Sequence, residues 1–552
     1  MSHIERLLAA TEHHLAARYS DAASLCREVL AEQPDHARAL YLLGLAELAG
    51  GRAGEAAGLL RRAVLLDPGR PVVWTNLSRA LLAAGEPAAA AAAAAQACLL
   101  SPREVAPAAA HALALVAADQ PEGALAVAER ALAIDPSHQP SLLARGTALA
   151  KLDRHEDAAV VLRHAVALQP GHAEAHLALG NALSDLDRLD EAEVALRSAL
   201  ARAPGLVEAE TSLAYLLIRR CQLPEAIDAC ERALARQPDF VPASWNLGIA
   251  CLLAGDWDRG WAMYETRKRH PRHAADFPQF PGPVLTQERL NRDALAGRRV
   301  MVFAEQGFGD TVQFARYFPP LQALGARVVL ACAPSLVPLL GRMPGVVAVP
   351  RDGKRPAYDF WIDQMSLPGL FGTRPDSVPS PGGYLPPDPP RSAAWNALLP
   401  QPGPDGRRVG VVWAGNPLHN NDQRRSLPQA ALAALLAAQA PGWVSLQLGP
   451  RRGEARLPDA GPYLADYAET AAAIANLDLL ITVDTSVAHV AGALGVPCWV
   501  MLPYAPDWRW LLSMPDTTPW YTSLRLFRQS APGDWAGVVA RVLAALPQVR
   551  PR

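Results

Sequence analysis

The chain has 552 residues, half of them hydrophobic and 19% charged, with a formal net charge of −2. That length exceeds one ordinary core and points to about three or four compact units. The composition excludes a largely disordered chain, and the near-neutral balance gives no reason to expect nucleic acid or an anionic membrane as partner.

The opening residues MSHIERLLAATEHH carry charge where a secretory signal would be apolar. The uncharged, mostly alanine run at residues 87–101 is too short to span a bilayer, so the cytoplasm is the expected compartment and no membrane span is expected. Cys26, Cys98, Cys221, Cys230, Cys251, Cys332 and Cys498 are scattered without a C-x-x-C pair, and reduced core thiols are expected rather than zinc ligands or disulfides.

Prolines recur at 34, 68, 102, 136, 170, 204 and 238, an unbroken spacing of 34 residues. A fixed period of this length is the mark of a repeat architecture. Gly44, Gly146, Gly180 and Gly248 share one position of the frame, where two helices need a small residue to approach. Ala56, Ala90, Ala124, Ala158, Ala192 and Ala226 share a second, and Ala63, Ala97, Ala131, Ala165, Ala199 and Ala233 a third. Proline lacks the amide donor and clashes with the preceding turn, so it ends each second helix in phase.

These residues resemble the tetratricopeptide repeat (TPR) signature, a helix-turn-helix of 34 residues, and the resemblance implies a helical solenoid of about seven to eight repeats over residues 1–270. The first repeat is degenerate, and the last, with Trp257, Trp261 and Tyr264, loses its alanine and proline positions. That aromatic cluster reads either as a seam to the next domain or as ordinary packing inside the last helix. A TPR array performs no chemistry; it presents a groove to a protein partner. Asn76 and Asn246 share a frame position that would suit an asparagine ladder gripping a backbone, although Leu42, Ala110, Ala144, Ala178 and Ser212 occupy it elsewhere and ordinary polar surface is the stronger reading.

Residues 271–295 read as a linker, rich in proline, aromatics and charge. Beyond it the pattern is α/β. RRVMVFA is a strand, EQGFGDT a glycine-containing turn, VQFARYFPPLQALG a helix, and ARVVLAC, VVAVP and YDFWID continue up to a proline-rich stretch. A second unit restarts with RRVGVVWAG and continues through WVSLQL, LDLLITV, the helix VAHVAGALG and the strand PCWVML. Two such units, at 296–400 and 401–552, suggest paired Rossmann-like lobes with ligand at the carboxyl ends of the strands. The final amphipathic helix, GDWAGVVARVLAAL, closes the second lobe and is a candidate to brace the first.

Asp484, Thr485 and Ser486 stand where a strand runs into a helix whose free amides and positive dipole end suit a diphosphate, with His489 on the first turn. The alternative is that they only cap the helix. The stretch D-T-S-x-A-H-x-A-G-A-L-G resembles the nucleotide-binding motif of glycosyltransferase family 9, the heptosyltransferase-like enzymes of GT-B fold, over roughly residues 296–548. That resemblance implies that Asp484, Thr485, Ser486 and His489 hold a donor diphosphate, with Ser486 departing from the family's usual glycine.

GVVWAGNPLHNNDQRRSLP is similar to the W-A-G-N-P…D…R-S-L-P stretch of TPR proteins fused to such domains. Gly415 permits close backbone approach, Asn416 offers amide hydrogen bonds, and Arg425 is the candidate to neutralise the leaving phosphate, with Arg424 its competitor and solvated loop charges the alternative. EQGFGDT resembles the G-D turn of heptosyltransferases, which implies a catalytic base at Asp310; helix capping is the alternative for that residue. Gln306 and the amides of Gly307 to Gly309 are candidates to orient donor or acceptor. There is no G-K-[ST] loop, no compact D-x-D after a strand and no histidine cluster with metal-ligand spacing, so no metal and no cofactor beyond the nucleotide-sugar co-substrate are expected.

The whole resembles bacterial TPR-glycosyltransferases and, more loosely, the eukaryotic protein O-GlcNAc transferases. It implies an inverting transferase acting on serine or threonine hydroxyls of a protein held by the TPR groove, flagellin being the leading acceptor. A glycan or lipopolysaccharide acceptor and a non-catalytic adaptor are the alternatives, and self-association through a repeat edge stays open.

Overall fold

The computed structural model describes residues 1–270, 277, 280–380, 382–419 and 421–552. Most of the stretch read as the start of a linker, 271–279, therefore lies outside the described residues. Compactness divides the chain into Met1–Leu216 and Leu217–Arg552.

The first unit is a succession of antiparallel helix pairs, from His3–Leu15 with Tyr19–Glu32 to Ala173–Asp185 with Leu189–Arg202, followed by the start of Val207–Arg219. The period is visible in the backbone. The residue before each proline, at Gln33, Asp67, Ser101, Asp135, Gln169 and Ala203, has left the helical region with φ between −131° and −139°. Steric exclusion by the following proline ring disfavours a helical residue there. The turn inside each pair supplies a second mark: Ala17, Gly51, Gly85, Asp119, Asp153 and Asp187, again 34 apart, all have φ between 57° and 78°.

Small residues set the helix approach, as the frame predicts. The alanines of the two alanine positions in this unit are at most 1% exposed. A Cβ on Gly44, Gly146 or Gly180 would stand 2.8, 2.5 and 2.7 Å from Cγ of Leu60, Leu162 and Leu196. Asn76 is buried, and its amide donates to Val72 O at 2.9 Å and Tyr41 Oη at 3.2 Å. It is therefore committed within the repeats rather than presented as a ladder rung.

The second unit opens with the helices Leu223–Arg236, Val241–Ala254 and Trp257–Tyr264. Two wholly parallel sheets follow. The first contains β1 (Arg299–Phe303), β2 (Arg327–Cys332), β3 (Val346–Pro350) and β4 (Phe360–Asp363) in the order β3-β2-β1-β4. The second contains β5 (Val409–Val412), β6 (Trp443–Ser445), β7 (Leu479–Val483), β8 (Cys498–Leu502) and β9 (Leu524–Arg528) in the order β6-β5-β7-β8-β9. The central strands are apolar and buried along nearly their whole length, as parallel strands covered on both faces must be.

Strand β9 is an addition to the strands expected from sequence; Arg525 and Arg528 break what would otherwise be an apolar run. The expected single helix after β1 is instead Phe308–Phe314, a 3-10 turn and Phe318–Ala323. Pro319 and Pro320 lack amide donors and force a new helix start. The C-terminal helix Trp535–Ala545 packs Trp535, Val538, Val539 and Val542 into the core of the second sheet beside Val409, Val411 and Ile481. It closes its own lobe and is not part of the first sheet's core cluster.

The aromatic cluster of the last repeat is a seam to the sheets. Trp257 stacks on Trp520 at 4.9 Å, Trp261 meets Trp508 edge-on at 5.3 Å, and the Trp261 indole N–H donates to Thr373 O at 2.9 Å. Beside them Arg267, fully buried, makes two 2.8 Å hydrogen bonds to the buried Glu305 carboxylate. Leaving either charge unpaired there would be costly, so the last helices are fastened to the loop that follows β1.

Candidate functional site

In both sheets the strand order reverses beside the first strand, at β1/β4 and at β5/β7. Such switch points leave a crevice at the carboxyl ends of the strands. The predicted site residues leave those ends: 306–310 after β1, 415–425 after β5 and 484–489 after β7.

Helix Phe308–Phe314 begins on Gly307, whose N–H donates to Asp310 Oδ2 at 2.7 Å. Asp310 thus has the capping contact considered from its sequence. Its other oxygen, Oδ1, accepts from Nη2 of Arg509, a residue of the β8–β9 connection. Burial raises the Asp310 pKa against the lowering pull of Arg509 and of the Gly307 amide. Gln306 has φ 59° and turns its amide to Tyr264 Oη, with Nε2 donating at 3.1 Å. That left-handed backbone is unusual for a non-glycine residue and marks a held loop.

Helix Ser486–Leu494 begins on Thr485, which makes no side-chain cap; its hydroxyl lies 3.1 Å from Thr482 Oγ1. The Ser486 hydroxyl pairs with Tyr467 Oη at 2.8 Å. His489 is buried, with Nδ1 3.0 Å from Tyr521 Oη and its ring stacked on Trp510. Burial, joined by the charges of Arg509 and Arg316, holds its pKa well below the ordinary value. His489 is therefore neutral near pH 7 and can offer a hydrogen bond but not a cation.

The two helices meet at Gly309. A Cβ there would stand 2.8 Å from His489 Cδ2 and 3.2 Å from Ser486 Cα. The glycine after β1 and the helix start after β7 are thus direct neighbours across the two sheets.

Gly415 is also a point of close approach, but to the chain's own Arg425: its Cβ would fall 2.6 Å from Arg425 Nη2 and 2.5 Å from Asp422 Oδ1. Arg425 Nε is 3.4 Å from Asp422 Oδ1. Asn416 is exposed, and its Oδ1 accepts from the Leu418 amide at 3.1 Å, closing a local turn. Arg424 is half-buried on the same short helix, Asp422–Arg425.

Electrostatics links the three loops. Burial first, and the Asp507 charge second, push the Asp484 carboxyl up to about 6 against the pull of Arg425 and Arg509. Burial and then Arg425 lower the pKa of His419, which also feels Asp507, Asp422 and Asp310. Asp310, His419, Arg425, Asp484, Asp507 and Arg509 therefore form one group of interacting titratable side chains at the strand ends. Arg509 and Asp507, from the stretch PYAPDWRW, are members that sequence reasoning missed; the charged D-W-R between aromatics was the available signal. Among the described residues no group of three His, Cys, Asp or Glu could hold a metal ion, and no helix is long and apolar enough to cross a membrane.

A region of TPR helices followed by two parallel sheets defines the class. The tetratricopeptide repeat family matches at residues 8–71 and 211–265, and a second description of it at 149–216. The chain is 31% identical over 326 residues to "Protein FlbA" of Caulobacter vibrioides (strain ATCC 19089 / CIP 103742 / CB 15), covering 53% of each. It thus spans about half the length of that curated relative. Among solved structures, a thermophilic TPR protein of Thermus thermophilus is 27% identical with TM-score 0.30, covering 33% of this chain and 99% of that one. A tetratricopeptide repeat protein from Parabacteroides merdae ATCC 43184 is 10% identical with TM-score 0.39, covering 45% and 98%.

Proposed function

We propose that the chain is an inverting, GT-B-type glycosyltransferase that moves a sugar from a nucleotide-sugar donor to serine or threonine hydroxyls of a protein bound by its TPR region. The observation that carries this reading is at the switch points of two parallel sheets: in the helix that follows β1, Gly309 packs against the start of the helix at Ser486, and its neighbour Asp310 pairs with Arg509.

In this scheme the donor diphosphate lies at the start of helix Ser486–Leu494, where backbone N–H groups, neutral His489 and the Arg425 guanidinium meet it. The acceptor hydroxyl oxygen attacks the anomeric carbon as its proton passes to Asp310, and the bond from that carbon to the phosphate oxygen breaks with its electron pair leaving on the nucleotide. Each carboxylate oxygen of Asp310 can accept more than one hydrogen bond, so its contacts to Gly307 and Arg509 leave capacity for the proton. The preorganised donors stabilise charge as it develops on the leaving group, and the carboxylate supplies general-base assistance worth about a hundred- to ten-thousandfold.

Incubating the purified chain with a panel of UDP-, GDP-, ADP- and CMP-sugars and flagellin, followed by intact-mass analysis, tests this. A sugar-sized mass increase with one donor, lost in Asp310→Ala, is expected. No increase with any protein but transfer to an oligosaccharide would move the acceptor to glycans, and neither transfer nor nucleotide binding would reduce the α/β part to a scaffold.

A further inference from the structure

Arg509 has a place in the site that its exposure and bonding make unusual. The side chain is 8% exposed. Its guanidinium is held on every edge: Nη2 by Asp310 Oδ1, Nε by Gln313 Oε1 at 2.9 Å and Nη1 by Asp507 Oδ1 at 2.7 Å. Its face lies over the Trp508 ring, 4.1 Å from the centroid. Asp507 Oδ1 also accepts the Arg509 backbone N–H at 3.0 Å, so the holder of the arginine is itself held.

We infer that Arg509 is the positioning residue of the site, carried by the second sheet to keep the Asp310 carboxylate of the first sheet ionised and fixed in direction. This rests on the reading of Asp310 as the base.

A carboxylate buried at a sheet junction tends to take up a proton and lose its basic form. A planar guanidinium whose other edges are occupied opposes this without rotating away, which a lysine ammonium would not do. The charged and titratable groups facing Asp310 are Arg509 and Asp507 from the β8–β9 connection, His419 from the loop after β5 and Tyr264 from the last repeat helix. Neutral His489 stands beside Gly309. Arg509 makes the direct ion pair, and Asp507 opposes it.

The test compares wild type, R509Q, R509K, D310N and R509Q/D310N in two measurements: transfer rate against pH, and thermal denaturation at pH 5 and pH 8. In R509Q the folded-state pKa of Asp310 rises further above its unfolded value. The stability deficit is then present at pH 8 and fades as pH falls through that pKa. We expect R509Q to lose melting temperature at pH 8, to recover at pH 5, and to recover at pH 8 when D310N is added. Its transfer rate should show an acid limb displaced upward by about one pH unit or more, with donor KM changed less than kcat and R509K intermediate. An equal loss of rate at every pH, or a melting deficit independent of pH and unrelieved by D310N, would overturn the inference. If wild type transfers no sugar, the proposed activity fails, and the denaturation measurements still decide whether Arg509 holds Asp310 ionised.

Discussion

Gly146→Ala is the sharpest test of how the repeats pack. In a helix interior, alanine is ordinarily favoured over glycine by about 1 kcal/mol. At Gly146 the added methyl would stand 2.5, 2.6 and 3.2 Å from Cγ, Cδ2 and Cδ1 of fully buried Leu162. Carbon atoms pack at about 3.5–4.0 Å. Because Cγ itself is overlapped, turning the terminal methyls gives no relief, and the helices Gln139–Lys151 and His155–Leu168 must separate or Leu162 must leave its rotamer. Overpacking of this kind costs about 1–3 kcal/mol, so after the helix-propensity gain the net loss is up to about 2 kcal/mol. Gly58, mid-helix in Ala53–Leu66 with nothing within 4 Å of its Cβ position, is the control, and Gly58→Ala should gain up to about 1 kcal/mol. In a solenoid each repeat contacts mainly its neighbours, so local hydrogen exchange is the assay. Exchange in residues 139–168 should quicken by up to about 30-fold in Gly146→Ala and slow in residues 53–66 in Gly58→Ala. If Gly146→Ala slows exchange as Gly58→Ala does, the close-approach explanation of the glycine position is wrong.

Ala17, at φ 57°, should gain about 0.5–1 kcal/mol when replaced by glycine, read as slowed exchange at the end of His3–Leu15. Glu305→Ala leaves Arg267 buried without its bidentate partner and should cost about 3–5 kcal/mol, read as a fall in the urea midpoint. Asp484, whose folded pKa of about 6 lies above its unfolded value, lowers stability once ionised. Asp484→Asn should therefore raise the melting temperature at pH 8, with the gain vanishing toward pH 4, while transfer falls. Gly309→Ala pushes a methyl onto His489 and Ser486 Cα and should depress transfer with little effect on the distant repeat helices, checked by activity alongside hydrogen exchange.

The repeats were legible because their physics is periodic: Pro34 to Pro238 and the glycine and alanine positions recur every 34 residues, and burial follows the same period. The left-handed turn at Ala17, Gly51 and Asp119 shared that period and was missed because alanine and aspartate do not advertise positive φ as glycine does. Strands β1 to β8 stood out as apolar runs; β9, with Arg525 and Arg528 interrupting it, did not. Asp310, Arg425 and the 484–489 stretch were singled out as candidates through strand-to-loop transitions and a family resemblance. Arg509 was not: D-W-R among aromatics marks a charged stretch, but its pairing with Asp310, 199 residues away, is visible only in the fold. Nor did the sequence of Gln306 reveal its bond to Tyr264 of the last repeat.

The most direct test of the central claim is the intact mass of flagellin and other abundant proteins from cells carrying wild type, Asp310→Ala or a deletion of the gene. A glycan-sized mass increment present with wild type and absent from both other strains is the predicted result. Protein masses identical in all three, together with a purified chain that binds no nucleotide sugar, would contradict it.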